Sequence, residues 1–167
     1  MGVSEDLEKI ACQERELRLP RLDAQTAWDL GTRLRGLAVE RGLKIAIDVR
    51  RFGQTLFYAA MDGATPDNGE WVRRKSNIVA CFHRSSYAVG LKLKMKGATL
   101  AERYGLPAAD YAADGGAFPL SVENAGVVGS VTVSGLTQRD DHNLAVEALC
   151  GLLGKDFRAL RLEPENA

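Results

Sequence analysis

The chain has 167 residues, the length of a single domain, and 46% of them are hydrophobic, as is usual for a globular core. Its 22 basic and 22 acidic residues give a formal net charge of zero, which removes the electrostatic argument for nucleic-acid or membrane-surface binding. The first residues are charged, and no later stretch approaches the roughly 18 apolar residues of a membrane span. We therefore expect a cytosolic protein with no nucleic-acid or membrane partner.

Cysteine and histidine are too sparse for a disulfide framework or a zinc site. Cys12, Cys81 and Cys150 are far apart and contain no CxxC spacing, so we interpret them as reduced packing residues. His83 and His142 are the only histidines, so a three-histidine zinc centre is excluded by counting. We predict no metal site built from protein ligands alone.

The N-terminal segment favours a short helix over about residues 4–16. Its apolar residues at helical spacing are Leu7, Ile10 and Ala11. Because this stripe is too narrow to be stable alone, we expect the helix to pack on the body of the protein or on another subunit. We accordingly divide the chain into a helical arm, residues 1–20, and a single domain, residues 21–167.

A helix and a hairpin are predicted next. Asp23 is a suitable N-cap and Gly42 a suitable exit for a helix whose apolar residues recur every three or four positions. Residues 43–50 alternate between apolar and polar, which indicates a half-exposed antiparallel strand. Residues 51–53 are short enough to turn the chain back into a second strand over 54–61.

The middle of the chain is predicted to be helical. Residues 62–68 are typical of a loop, and a helical pattern follows from Glu70 to about Lys96, with a break near Ser85 and Ser86. A shorter helix is indicated over Leu100–Tyr104.

Two strands and a closing helix are predicted in the last third. The strands cover residues 115–122 and 127–135, and the second alternates valine with serine and threonine. Thr137 is placed to open a C-terminal helix that ends at Gly154, and residues 158–162 favour a final edge strand.

This element order predicts an α+β domain with an antiparallel sheet. A doubly wound parallel sheet fits less well, because it needs a crossover helix between the two early strands, where only a few residues are available.

A basic cluster near the start of the central helix is the first candidate site. Arg73, Arg74 and Lys75 oppose the positive end of the helix dipole, which suggests an acidic ligand or partner. The alternative is a solvated face compensated by Asp67 and Glu70. Lys75 also falls within the apolar stripe of this helix, where it either extends past its neighbours to solvent or meets a buried acceptor.

The turn between the last strand and the last helix is the second candidate site. Asp141 and His142 follow it where free backbone N–H groups gather, which favours a ligand pocket and a neutral histidine. His142 is either an axial haem ligand or a structural histidine. Gly115 and Gly116 permit close backbone approach to a ligand, or they form a tight loop.

Several segments together resemble a known family. They are Trp71-Val72-Arg73-Arg74-Lys75-Ser76-Asn77, Ser85-Ser86, Gly115-Gly116-Ala117-Phe118-Pro119, Val133-Ser134-Gly135-Leu136 and Asp141-His142. From about Leu22 to Leu153 the sequence resembles the haem-degrading or haem-binding domain family related to GlcG-like proteins, in its cytosolic branch. Cys81 departs from that pattern, in which a basic residue is expected before Phe82.

The resemblance implies a profilin-like domain with helices on both faces of an antiparallel sheet, in three layers, assembled into a homo-oligomer. It also implies haem, or another anionic small molecule, as the ligand. The residues it places at the site are Arg74, Lys75, Asn77, Gly115, Gly116, Asp141 and His142.

Three functions remain open from the sequence. The first is a cytosolic, oligomeric binding module for haem or another anionic cofactor, and the second is a scaffold or protein-interaction module with no small ligand. The third is a haem-degrading enzyme, in which the protein supplies orientation and a dry pocket while the iron carries the oxygen chemistry. The sequence contains no nucleophile and base that require the enzyme.

Overall fold

The computed structural model describes residues 2–165. They form, in chain order, α1 Val3–Glu16, β1 Arg18–Leu19, α2 Ala24–Arg41, β2 Ala46–Arg51, β3 Gln54–Ala60, α3 Pro66–Phe82, α4 Ser86–Lys96, α5 Leu100–Tyr104, β4 Ala117–Val122, β5 Gly126–Ser134, α6 Gln138–Leu153 and α7 Phe157–Leu160. Within this range no helix has the length and apolar character needed to span a membrane.

The five strands form one sheet in the order β1-β4-β5-β2-β3. The pairs β2–β3, β2–β5 and β4–β5 are antiparallel, so the predicted α+β class is confirmed. The sheet is mixed rather than wholly antiparallel, because β1 runs parallel to β4 at the edge.

Helices cover both faces of the sheet, as the family resemblance implied. One face packs against α2 and α6, and it carries the apolar positions Ile47, Val49, Val131 and Val133 together with Phe118. The other face packs against α3. Because strand side chains alternate between faces, these residues of β2 and β5 enter the larger core beneath α2 and α6.

The predicted ends of α2 are confirmed. The Asp23 carboxylate accepts a hydrogen bond of 2.8 Å from the backbone N–H of Thr26. Gly42 ends the helix in the left-handed region at φ 64°, which is accessible to glycine without strain. The hairpin of β2 and β3 is confirmed as well.

The prediction that residues 43–50 form a half-exposed strand is wrong. β2 begins at Ala46 and lies between β5 and β3, with α3 over the face that alternation alone assigns to solvent. Asp48 on that face is buried, and its carboxylate accepts two hydrogen bonds from Arg50 at 2.7 and 2.8 Å. Ser130 and Thr132 of β5 are buried on the same face. The alternation of apolar and polar residues therefore did not indicate a solvent-exposed face.

The central helical region begins earlier than predicted. α3 starts at Pro66, inside the segment predicted as a loop, because proline is compatible with the first turn of a helix. The predicted break is confirmed: His83 ends α3 in the left-handed region at φ 53°, and the Ser85 hydroxyl accepts from the N–H of Ala88 at the start of α4.

The predicted final strand over 158–162 is wrong. Residues Phe157–Leu160 form the short helix α7, which begins where the Asp156 carboxylate accepts from the N–H of Arg158. The edge position next to β4 is taken by β1 instead.

The helix predicted over 4–16 is confirmed as α1, and it packs on the body of the same chain. Ile10 is fully buried in a small apolar cluster with Tyr87, Leu91 and Leu162. Polar side chains of α1 add further contacts, including an ion pair of 2.5 Å between Asp6 and Arg139. Whether residues 1–20 form a unit separate from 21–167 stays a prediction.

Candidate functional site

Lys75 of α3 and Asp141 of α6 form a buried ion pair. The Lys75 Nζ lies 2.9 Å from Asp141 Oδ2 and donates to the backbone carbonyl of Val133 at 3.2 Å. The side chains are only 5% and 2% exposed. Lys75 was expected either to extend to solvent or to meet a buried acceptor, and the structure shows the buried acceptor.

The surroundings of Asp141 explain how a carboxylate is accommodated there. Burial raises its pKa, whereas Lys75 and the backbone N–H groups of Leu136 and Gly135 oppose that rise by stabilising the charged form. The Leu136 N–H donates to Asp141 Oδ1 at 2.9 Å. The ion pair thus joins α3, β5 and the first turn of α6.

Gly115 and Gly116 are required by close packing in this cluster. A Cβ atom at Gly116, which has φ 139°, would lie 2.3 Å from the Val133 carbonyl oxygen and 2.8 Å from Lys75 Nζ. A Cβ at Gly115 would lie 2.2 Å from the Gln138 carbonyl oxygen. Both glycines therefore allow the loop before β4 to pack closely against β5 and α6. Of the two alternatives for this pair, a ligand contact or a tight loop, the structure shows the tight loop.

His142 is sealed inside the protein. Its side chain has no exposed surface, and its ring lies 5.5 Å from the Tyr87 ring and 5.7 Å from the Phe118 ring, measured between centroids. Its Nε2 is 2.8 Å from Oε1 of Gln13, while Nδ1 has no hydrogen-bond partner within residues 2–165. Burial and the nearby Arg139 lower the pKa of His142 to about 3, so the ring is neutral as expected.

The polar side chains of α3 hold the loop that connects α5 to β4. Arg74 Nε donates to the Ala108 carbonyl at 3.0 Å, and Asn77 Nδ2 donates to the Asp110 carbonyl at 2.8 Å. Arg73 bonds the same loop through Asp110 and the Ala109 carbonyl. The basic cluster thus finds acceptors in the protein, and the Arg74 guanidinium also lies 4.7 Å from the centroid of the Trp71 ring.

A groove of about 1440 Å³ lies beside this loop. It is bounded by α4, α5, the loop before β4 and the first turn of α6, and its apolar lining includes Leu91, Leu93, Leu100, Leu106 and Tyr111. Of the seven predicted site residues, Arg74 lines the groove; Lys75, Asn77, Gly115, Gly116, Asp141 and His142 fix the elements around it or lie in the interior.

The groove carries charges of both signs. Arg74 and Lys94 are cationic and belong to α3 and α4, and no carboxylate within residues 2–165 forms an ion pair with either. Asp114 and Asp140 lie on the side formed by the loop and α6, where the lining also includes Arg139 with its own carboxylate partners. The unpaired positive charge of the groove therefore lies on the side of α3 and α4, and an anionic group is attracted there.

The sequence predicted the basic residue of the groove but missed its apolar wall. Leu91, Leu93, Leu100 and Leu106 belong to two short helices and a loop whose patterns indicate only ordinary burial. The groove is formed where elements from several parts of the chain come together, so no local pattern encodes it.

Metal ligands and reactive thiols are not concentrated in this region. Within residues 2–165 no three His, Cys, Asp or Glu side chains are grouped so that they could hold a metal ion. The three cysteines are free, and burial raises the pKa of Cys150 to about 11.

Together these features define an α+β domain with a ligand-sized groove and with a hydrogen-bonded ion pair in its interior. The family model described as haem-degrading protein HbpS-like matches residues 22–150. The chain belongs to this HbpS-like family, and the predicted resemblance is confirmed.

Known proteins resemble the chain over most of its length. A UPF0303 protein of Burkholderia thailandensis is 60% identical over 162 residues, which cover 97% of this chain and 98% of that protein. The crystal structure of the Ybr137w protein matches with a TM-score of 0.83 and 30% identity, over 90% of this chain and 89% of that one. A PduOC–haem complex matches with a TM-score of 0.66 and 17% identity, over 77% and 93%, which shows a shared fold.

Replacing Lys75 by Met is expected to lower the free energy of unfolding by about 3–5 kcal/mol, because it leaves a buried carboxylate without its counter-ion. The double variant Lys75→Met, Asp141→Asn is expected to recover part of that loss, since no unpaired charge remains. Urea unfolding of the parent and both variants measures the differences.

Lys92→Met is the matched control, because Lys92 is exposed on α4 and its replacement is expected to change stability by less than about 0.5 kcal/mol. Equal losses for Lys75→Met and Lys92→Met would contradict the importance of the ion pair.

The lowered pKa of His142 predicts that the protein loses stability in acid. The unfolded chain binds a proton at this histidine below its ordinary pKa of 6.5, whereas the folded protein does not bind it until about pH 3. The free energy of unfolding is therefore expected to fall by about 2–3 kcal/mol more in the parent than in His142→Gln between pH 7 and pH 4.5.

Urea unfolding at the two pH values measures this difference, and His83→Gln is the matched control for loss of an imidazole. An identical pH dependence in the parent and in His142→Gln would show that the ring is not held neutral by the fold.

Proposed function

We propose that the chain is a binding protein for haem, or for another flat, largely apolar ligand with carboxylates, and that the ligand occupies the groove. The observation that carries this proposal is a groove of about 1440 Å³ whose lining is partly apolar and whose unpaired cations lie on one side. Ligand sites commonly occupy about 300–1,000 Å³ and combine apolar walls with a few polar groups, so the groove is large enough. Membership of the HbpS-like family supports haem as the ligand.

The groove residues fit the two parts of such a ligand. Leu91, Leu93 and Leu100 are largely buried and present only the edges of their side chains to the groove, where they form an apolar floor for part of a macrocycle. The Arg74 guanidinium uses Nε for the Ala108 carbonyl and keeps its two terminal nitrogens for a carboxylate, with Lys94 as the second cation. Asp114 and Asp140 then disfavour the reversed orientation, in which the carboxylates would point towards α6.

In this conformation His142 is not positioned to act as an axial ligand of haem iron. It has no exposed surface and does not line the groove, and its Nε2 is already engaged by Gln13. Tyr111, which lines the groove, has the side-chain type that holds haem iron in some proteins. Haem, when bound, would supply the redox and oxygen chemistry of its iron.

The remaining predicted site residues support the groove indirectly. Lys75 and Asp141 fix the first turn of α6, and Asn77 holds the loop before β4. Gly115 and Gly116 allow that loop to approach α6 and β5. They position the groove walls rather than touching the ligand.

A haemin titration followed by absorbance tests the proposal. We expect saturable binding of about one haem per chain, and we expect Arg74→Ala, Lys94→Ala to weaken it at least tenfold because the carboxylates lose both cations. Lys92→Ala, on an exposed part of α4 outside the groove, is the control that keeps the parental affinity.

A change in absorbance that does not saturate, or one that the double variant and Lys92→Ala share equally, would contradict binding in the groove. Loss of the haem spectrum in His142→Gln, with stability retained, would instead favour His142 as the ligand.

Self-association is the second part of the proposal, and it keeps the scaffold alternative open. β3 is at one edge of the sheet and pairs only with β2 among residues 2–165. Next to it, Trp28 of α2 is 59% exposed, and the centroid of its ring lies 5.8 Å from that of the Phe57 ring on β3. A large exposed aromatic beside an open strand edge is typical of a contact surface.

Light scattering of the purified protein tests this part. We expect a mass above the 18.1 kDa of one chain, and Trp28→Arg is expected to lower it. Val39→Arg, an equivalent change at an exposed apolar residue of the same helix, is the comparison variant. A parental mass of one chain would exclude a stable homo-oligomer.

A further inference from the structure

A second, smaller pocket of about 340 Å³ lies where α1 ends near β1 and near the turn between α3 and α4. Its lining residues carry four basic side chains, Arg15, Arg18, His83 and Arg84, and one acidic side chain, Glu14. No residue of this pocket lines the groove described above. The pocket is therefore a separate feature of the surface.

Glu14 does not neutralise the pocket, because its carboxylate is already engaged. Its Oε2 lies 2.5 Å from Arg84 Nε, and its Oε1 accepts from the backbone N–H of Ser85 at 2.9 Å. Over the part of the chain that the structure describes, neither Arg15 nor Arg18 has a carboxylate within 4.0 Å. Two cations remain uncompensated in a protein whose formal net charge is zero.

The third group, His83, is held in a defined orientation at the pocket. It ends α3 in the left-handed region at φ 53°, a conformation uncommon for residues other than glycine. Its ring stacks on Phe52 with a centroid distance of 5.7 Å and an interplanar angle of 14°. The stacked imidazole stays exposed, so its nitrogens are accessible to a ligand.

Apolar groups complete the pocket. Ala11 of α1, Pro119 of β4 and Val127 of β5 form part of the lining, and they are supplied by three different elements. A site that combines cations with an apolar wall suits a molecule that carries an anionic group on a small organic body.

We propose that this pocket binds the phosphate group of a small phosphorylated organic molecule. A phosphate monoester carries a charge of about −1.5 to −2 at pH 7, which matches the two unpaired arginines, and arginine forks bind phosphate oxygens in pairs. His83 adds a donor, and the apolar wall receives the organic part. A volume of about 340 Å³ is at the lower end of the range for ligand sites, which favours a small organic part.

Isothermal titration calorimetry at physiological ionic strength tests the proposal, with inorganic phosphate, glycerol 3-phosphate, glycerol and succinate as separate probes. We expect saturable binding of one glycerol 3-phosphate per chain, at least tenfold tighter than inorganic phosphate, and no binding of glycerol. Inorganic phosphate binding as tightly as the ester would overturn the organic part of the site. Tighter binding of succinate would overturn the choice of phosphate.

Variants assign the binding to this pocket. Arg15→Gln, Arg18→Gln is expected to weaken glycerol 3-phosphate binding at least tenfold, while Arg103→Gln, an exposed arginine of α5 outside the pocket, leaves it unchanged. Equal affinities in the two variants would overturn the proposal. Thermal unfolding verifies that both variants are folded, which is expected because neither Arg15 nor Arg18 is buried.

Two further measurements separate this inference from the proposed haem site and from self-association. The double variant Arg15→Gln, Arg18→Gln is expected to bind haemin like the parent, so the two sites fail or succeed independently. Its mass by light scattering is expected to equal that of the parent. A changed mass, with no phosphate binding in the parent, would assign the two arginines to self-association and would overturn the proposal.

Discussion

The buried ion pair between Lys75 and Asp141 organises the centre of this protein. A lysine and an aspartate are costly to remove from water, so the fold tolerates them only because each satisfies the other and the backbone supplies further hydrogen bonds. Those bonds connect α3, β5 and the start of α6, and they leave no room for a side chain at Gly116. The placement of the groove depends on this cluster, because α6 and the loop before β4 form two of its walls.

Other buried or half-buried carboxylates also have partners. Asp6 pairs with Arg139 and Glu14 with Arg84, from distant parts of the chain, whereas Asp48 pairs with Arg50 of the same strand. Four arginine or lysine side chains that line the two concave surfaces lack such partners among residues 2–165. They are Arg74 and Lys94 at the groove and Arg15 and Arg18 at the small pocket. Both proposals therefore concern anionic ligands.

The sequence predicted the elements well where local chemistry decides them. Asp23 and Gly42 mark the ends of α2 by capping and by left-handed backbone geometry, both local effects. It failed where tertiary packing decides: Asp48 has a polar side chain yet is covered by α3, and the two-residue β1 has too few positions to show a pattern. For the site, chemistry-bearing residues such as Lys75 and Asp141 were identified, but that they would meet each other could not be known without the fold.

The segment matched by the HbpS-like family model begins at residue 22, whereas α1 ends at Glu16. His142 lies inside the matched segment, but Gln13, whose side chain is hydrogen-bonded to His142 Nε2, lies outside it. Gln13 thus completes an enclosure of His142 to which Tyr87 and Phe118 of the matched segment also contribute. The residues before the matched segment therefore supply an edge strand of the sheet and, within residues 2–165, the one hydrogen-bond partner of the His142 ring.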